Sequence, residues 1–166
     1  MRPEIIVTTK LFARTQERLD KEFTCHKLHE AADRDAFLKE LAPRIRALAT
    51  FGAGGADAKL MDSLPKLEII SNFGVGVDAI DLAAAKQRKI IVTNTPDVLN
   101  ECVSDVAMAL VLNVLRQFPQ SEAYLRSGYW ATRGAFELTT SLGGKTLGIL
   151  GLGRIGQEDL ERDGAV

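Results

Sequence analysis

Short apolar runs alternate with segments of helical spacing along the first hundred residues. Five runs, each followed by a turn or a polar segment, predict strands at 5–8, 23–28, 46–50, 67–71 and 90–93. The segments between them place apolar residues on one face and predict helices, with Asp33 and Asp81 as N-caps of two of them. Strands that alternate with short helices predict an α/β fold with a doubly wound parallel sheet.

The pattern changes after residue 99. From 100 to 117 apolar residues recur with helical spacing, at Val103, Val106, Ala107, Leu110, Val111, Val114 and Leu115. A second helix is predicted after Pro119, and Trp130 is expected to anchor the following linker by burial. The apolar run 146–150 then predicts the first strand of a new domain.

Gly151, Gly153 and Gly156 follow that run with the spacing Gly-x-Gly-x-x-Gly. In dinucleotide-binding folds the first glycine makes a tight turn, the second lets a pyrophosphate approach, and the third lets the helix pack closely on the strand. The N–H groups and the dipole at the helix start then bind the phosphates. Glycine-rich turns are common, so the strand-like run before the motif is needed to support a nucleotide site.

Composition and charge exclude several classes of protein. Apolar residues are 46% of the 166, charged residues are 26% and the net charge is −1, which is typical of a globular protein without a nucleic-acid or anionic-membrane surface. No apolar run reaches membrane-spanning length and the N-terminus lacks a signal-peptide core. Cys25 and Cys102 have no spacing partner, so we expect reduced, buried thiols, no metal site and a cytoplasmic location.

The histidines and aspartates near the predicted strands have two interpretations. His26 and His29 lie in or beside an early strand, and we interpret them as structural or surface residues rather than catalytic ones. Asp78 and Asp81 are spaced like a carboxylate pair. We favour a helix cap for Asp81 and a loop-tightening role for Asp78.

The chain resembles the NAD(P)-dependent D-2-hydroxyacid dehydrogenases, and among them the glyoxylate/hydroxypyruvate reductases. The likeness rests on the segments 74–81 and 92–99, the long helix after them, 128–130, and 143–157. These segments follow the family's order and spacing over residues 1–157.

The resemblance implies three parts. They are a flavodoxin-like substrate domain over 1–99, connecting and dimerisation helices with an arm over 100–145, and only the start of an NAD(P)-binding Rossmann domain over 146–166. It also implies a homodimer in the intact protein. The implied reaction is hydride transfer from NADH or NADPH to a small 2-keto acid.

The resemblance also assigns site residues. Val75 and Gly76 would bind the substrate carboxylate through backbone N–H groups, which is reasonable because a glycine-bearing turn exposes adjacent amides to an anion. The cofactor pyrophosphate would bind at Gly151, Gly153, Arg154, Ile155 and Gly156.

The C-terminal end departs from the family's pattern. The family's catalytic arginine, glutamate and histidine lie beyond residue 166, and so does the residue that distinguishes NAD from NADP. After Gln157 the tail lacks the family's apolar stripe. We therefore expect a truncated member without catalytic residues, inactive alone. The alternatives are a non-catalytic interaction or dimerising module of the same family, and an unrelated flavodoxin-like domain that binds no nucleotide.

Overall fold

The computed structural model describes residues 2–162, so the end of the divergent tail lies outside the described residues. The chain divides into two compact units, Met1–Val98 and Leu99–Val166. We describe each unit by itself.

The first unit contains a five-stranded sheet. Its strands are β1 (Glu4–Val7), β2 (Thr24–Lys27), β3 (Ala47–Thr50), β4 (Ile69–Asn72) and β5 (Ile91–Thr93). Every neighbouring pair is parallel, and the order is β2-β1-β3-β4-β5. This is the flavodoxin-like order of a doubly wound sheet. The predicted fold class is confirmed.

Four helices connect these strands. They are α1 (Ala13–Glu22), α2 (Arg34–Leu41), α3 (Ala58–Asp62) and α4 (Leu82–Gln87). The carboxylates of Asp33, Asp57 and Asp81 accept hydrogen bonds from backbone N–H groups in the first turns of α2, α3 and α4, at 3.0, 2.8 and 2.8 Å. The predicted caps at Asp33 and Asp81 are confirmed, since each side chain satisfies a donor that the helix start leaves open.

The core lies on both faces of the sheet because side chains alternate along each strand. Ile6, Leu48 and Ile70 are fully buried on the face covered by α2, α3 and α4. On the opposite face, Ile5 and Val7 pack with apolar residues of α1. The strand ends are therefore fixed in position by packing from both sides.

The second unit is helical. Its helices are α5 (Asn100–Arg116), α6 (Phe118–Arg126), α7 (Tyr129–Arg133) and α8 (Arg154–Arg162). The long predicted helix is confirmed. It ends at Gln117, whose left-handed backbone (φ 50°) also begins α6. The buried Ser104 of α5 donates a hydrogen bond to Asp159 of α8 at 2.5 Å, so these two helices pack together.

Two predictions about this unit are wrong. Residues 146–150 form no strand, because a strand needs a neighbour to accept its backbone hydrogen bonds and the described residues of this unit offer none. Trp130 is 56% exposed rather than buried. In α7 the side chain that packs on α6 is Tyr129, whose ring centroid lies 5.5 Å from that of Tyr124. The next residue along the helix consequently points to a different side.

The described residues contain no single helix long and apolar enough to cross a membrane. Asn100–Arg116 and Phe118–Arg126 satisfy that length and hydropathy only when taken together, and they are bent by 58°.

Candidate functional site

The carboxyl ends of the strands meet at one edge of the sheet, where doubly wound folds bind ligands. The Thr8 hydroxyl, just after β1, donates to the Thr50 hydroxyl at the end of β3 over 2.7 Å. This bond lies where the strand order reverses, between β1 and β3. The loops after β3, β4 and β5 open at the same edge, so this edge is the candidate site.

The segment 73–81, here the β4–α4 loop, is fixed at its start by two asparagines. Asn72 is 4% exposed, and its Nδ2 donates to the carbonyl oxygens of Gly74 and Gly76 at 3.3 and 2.8 Å. The Nδ2 of Asn94, one residue beyond β5, donates to the carbonyl of Val75 at 2.8 Å. Three consecutive carbonyls of the loop therefore accept hydrogen bonds from the ends of two neighbouring strands.

The end of the β4–α4 loop is fixed by the segment after β3. Ala56 donates its N–H to the carbonyl of Ala79 at 3.0 Å and accepts from the N–H of Asp81 at 2.9 Å. Gly55 makes this close approach possible. Its φ is +45°, and a Cβ there would lie 2.0 Å from the Ala79 oxygen. The loop is thus a rigid element held at both ends.

The predicted substrate-binding residues lie in the middle of this loop. Gly76 is exposed and Val75 is half-buried. Among the described residues, the backbone N–H groups of Val75, Gly76 and Val77 donate to no backbone carbonyl. A run of such amides can bind an anion. Asp78 lies close by, since its Oδ2 is 3.0 Å from where a Cβ on Gly76 would be.

Three aromatic rings lie at the same edge. The ring of Phe51 lies 5.2 Å from that of Phe12 and 5.6 Å from that of Phe73, measured between centroids. Phe73 is the first residue of the β4–α4 loop. An apolar wall beside a few directed polar groups is typical of small-molecule sites.

The glycine motif of the second unit has the geometry that its spacing predicts. Gly151 has φ +98°, and a Cβ on Gly156 would lie 2.3 Å from the Gly151 oxygen. A Cβ on Gly153 would have no atom within 4 Å. The first glycine thus makes the tight turn, the second leaves open space for a ligand, and the third permits close packing, as in a pyrophosphate turn. The helix α8 begins inside the motif, at Arg154 and Ile155, directly after the second glycine.

The histidines lie away from the β4–α4 loop. Nε2 of His26, on the edge strand β2, lies 2.7 Å from a carboxylate oxygen of Glu4. In the sheet order β2 is three strands from β4, about 14 Å at ~4.8 Å per strand. His29 follows β2, and its Nε2 lies 3.7 Å from Glu30. Both histidines therefore lie beside glutamates and not at the candidate site.

Both cysteines are free. Cys25 is half-buried, whereas Cys102 is exposed, so the predicted burial of Cys102 is wrong. Burial raises the pKa of the Cys25 thiol to about 11, and a hydrogen bond and the negative charge of Asp20 act in the same direction. A thiol that stays protonated is a poor nucleophile and metal ligand. Cys25 therefore belongs to the packing of β2 against α1.

Comparison with known proteins decides the family. The catalytic domain of the D-isomer specific 2-hydroxyacid dehydrogenases matches residues 5–142. The chain belongs to this family. The match includes the whole sheet and the β4–α4 loop, and it excludes the alternative of an unrelated flavodoxin-like domain.

Relatives within the family have reductase names. Glyoxylate/hydroxypyruvate reductase A of Arabidopsis thaliana is 41% identical over 141 residues, which is 85% of this chain and 45% of that protein. The solved 2-hydroxyacid dehydrogenase of Ketogulonicigenium vulgare Y25 superposes with a TM-score of 0.91 at 47% identity, over 97% of this chain and 51% of that one.

A third relative was solved with ligands. It is the NADPH-dependent glyoxylate/hydroxypyruvate reductase of Sinorhizobium meliloti in complex with NADP and malonate, with a TM-score of 0.85 at 41% identity, over 99% of this chain and 51% of that one. The chain thus spans about half the length of the relatives it matches. NAD or NADP as the family's coenzyme is confirmed.

The sequence interpretation missed Asn72 and Asn94. A signal for them was present, since each asparagine ends or directly follows a short apolar strand, at positions where parallel strands present side chains to a ligand edge. The sequence could not predict that both asparagines bind the backbone of residues 74–76, because this depends on β4 and β5 being neighbours.

Proposed function

We propose that this chain is the substrate-binding half of an NAD(P)H-dependent 2-hydroxyacid dehydrogenase of the glyoxylate/hydroxypyruvate reductase type. The observation that carries the proposal is the row of backbone N–H groups at Val75, Gly76 and Val77, at the ligand edge of a flavodoxin-like sheet. The names of the relatives from Arabidopsis thaliana and Sinorhizobium meliloti support a small 2-keto acid as the substrate.

The β4–α4 loop would bind the substrate's carboxylate. Val75 and Gly76 donate their N–H groups to it, and the ionised acceptor makes these bonds stronger than neutral ones. With the neighbouring N–H of Val77 there are three such bonds, which at a net ~1.5 kcal/mol each give a dissociation constant on the order of 1 mM. This fixes the carboxylate end of the molecule, so that the adjacent keto group has one orientation.

The glycine turn would hold the coenzyme's pyrophosphate. Gly153 leaves room for close approach, and the N–H groups at the start of α8 point toward an anion there. The set of residues is Gly151, Gly153, Arg154, Ile155 and Gly156. When bound, the coenzyme supplies the hydride.

Among residues 2–162, neither histidine lies at the β4–α4 loop to complete the reaction. Reduction of a keto group needs a positioned acid that protonates the new alkoxide. His26 lies in β2 and His29 follows it, and β2 is three strands away from β4 in the sheet. We therefore propose that the 166-residue chain binds substrate without turnover.

The three-part division belongs to the same proposal, with substrate binding in 1–99, connection and dimerisation in 100–145, and coenzyme binding begun in 146–166. Support for a homodimer is the exposed apolar stripe of α5, made of Val103, Val106, Leu110 and Val114. These residues recur on one helix face. A cytoplasmic location stays a prediction of the sequence.

Oxidation of NADPH in the presence of hydroxypyruvate tests this proposal. The purified chain is expected to show no rate above the blank, while a full-length family reductase in the same buffer is active. A rate that copurifies with the chain through two unlike columns would overturn the proposal of an inactive half. The alternative of a dimerising module would be supported if the chain neither reduces nor binds a 2-keto acid but crosslinks to a full-length relative.

A further inference from the structure

The two asparagines at the ends of β4 and β5 bind the same short piece of backbone. Asn72 donates to the carbonyls of Gly74 and Gly76, and Asn94 donates to the carbonyl between them, that of Val75. The N–H of Thr95 also donates to the Gly74 carbonyl, at 3.0 Å. Each of three successive peptide groups therefore has its oxygen directed toward the ends of these strands.

Peptide geometry converts this into an orientation of the amides. In a trans peptide the N–H of a residue points opposite to the C=O of the residue before it, and the described chain has no cis peptide bonds. The carbonyls of residues 74, 75 and 76 thus set the N–H directions of Val75, Gly76 and Val77. Because each carbonyl points to its asparagine, each of these N–H groups points away from it.

The two glycines of the segment 74–76 contribute little to this order. Gly74 and Gly76 have no side chains to restrict the backbone, and glycine samples more conformations than any other residue. Donors that are fixed before the ligand arrives avoid the ordering cost of binding. The two carboxamides supply that fixation from outside the loop.

We propose that Asn72 and Asn94 are positioning residues for carboxylate binding, which act by holding the carbonyls of residues 74–76 so that three backbone N–H groups are presented to the anion. This inference rests on the proposed function of the β4–α4 loop. It explains how the N–H of Val77 comes to lie beside those of Val75 and Gly76. Neither asparagine is required to touch the ligand.

The test is a titration of the 15N-labelled 166-residue chain with glyoxylate, followed by amide chemical shifts, with sodium chloride matched for ionic strength. Asn94→Ala is the main variant because Asn94 is exposed and its loss leaves no buried group unpaired. Asn113→Ala is the control, since it makes the same change in α5 of the other unit. Asn72→Ser is the second variant.

The wild-type chain and Asn113→Ala are expected to show saturable shifts at the amides of residues 75, 76 and 77. In Asn94→Ala we expect binding weakened about fivefold, the effect of one lost hydrogen bond, with the largest loss of shift at Gly76. In Asn72→Ser the loss falls on Val75 and Val77. If the asparagines only stabilised the fold, the folded molecules would bind glyoxylate with the wild-type shift pattern. A loss of shift at particular amides therefore indicates a positioning role.

The outcomes separate the two claims. If wild type binds at residues 75–77 and Asn94→Ala binds equally well with the same shift pattern, the positioning role is overturned while the proposed carboxylate site stands. If wild type shows no shifts at these amides although its sheet amides are dispersed, the proposed site fails and the inference fails with it. The inference is supported if both asparagine variants bind glyoxylate more weakly, and if Asn94→Ala loses shift mainly at Gly76 while Asn72→Ser loses it at Val75 and Val77.

Discussion

Gly156 occupies a position in the glycine turn where a side chain has no room. A Cβ there would lie 2.3 Å from the Gly151 carbonyl oxygen, which is backbone and has little freedom to move. We predict that Gly156→Ala destabilises the packing of α8 on α5 by about 1–3 kcal/mol, the usual cost of overpacking. Hydrogen exchange measured by mass spectrometry on peptides from 150–160 detects the loss as faster exchange.

Gly153→Ala is the matched control for that change. A Cβ on Gly153 has no atom within 4 Å, so its effect on exchange is expected to correspond to less than about 0.5 kcal/mol. Equal effects of the two substitutions would contradict the packing argument.

At the residue scale, the sequence predicts what depends on near neighbours. Asp33 and Asp81 were predicted as caps because an N-cap bonds a donor three residues away. Val75 and Gly76 came from the resemblance to the family, and their binding role stays a prediction. The contacts of Asn94 could not be predicted, since they join residues 19 positions apart across two strands.

The helix α5 has a surface that differs from the rest of its unit. Its stripe of Val103, Val106, Leu110 and Val114 is 37 to 75% exposed. If this stripe is the dimer surface, a charge in its middle must be desolvated on association, at a cost of roughly 2 kcal/mol or more. We predict that Leu110→Asp weakens dimerisation at least about tenfold, as measured by sedimentation equilibrium.

Ala109→Asp places the same charge on the same helix beside the stripe. It is expected to leave the dimer constant within about threefold of wild type. A wild-type chain that stays monomeric at every concentration, or a Leu110→Asp variant that dimerises like wild type, would contradict the assignment of this surface.

The elements themselves were largely predictable, because each strand is a short apolar run bounded by turn residues and each helix has its own period. The failure at 146–150 has a physical cause. Apolar β-branched sequence favours a strand, but the strand forms only beside another one. Leu150 is consequently fully exposed in this chain. Trp130 shows the same limit, since its burial depends on what packs against α7.

At the scale of the whole molecule, the chain contains a doubly wound sheet and a glycine turn that lies in a separate unit. The five-stranded sheet is present with a buried core on each face, and the β4–α4 loop lies at its edge. The glycine turn has the shape of a phosphate site. The sheet order could be predicted only from the resemblance to the family. No single apolar segment indicates which strands become its neighbours. The chain matches about half the length of its relatives.

We expect this chain to bind a small 2-keto acid at residues 75–77 without reducing it. One sample tests both parts directly: the 15N-labelled chain with glyoxylate and NADPH, observed by NMR for its own amide shifts and for the methylene signal of glycolate. We predict saturable shifts at Val75, Gly76 and Val77, with a dissociation constant on the order of 1 mM, and no glycolate above a protein-free control. Glycolate that accumulates in proportion to the chain, or amides at these positions that do not respond to glyoxylate, would contradict the account.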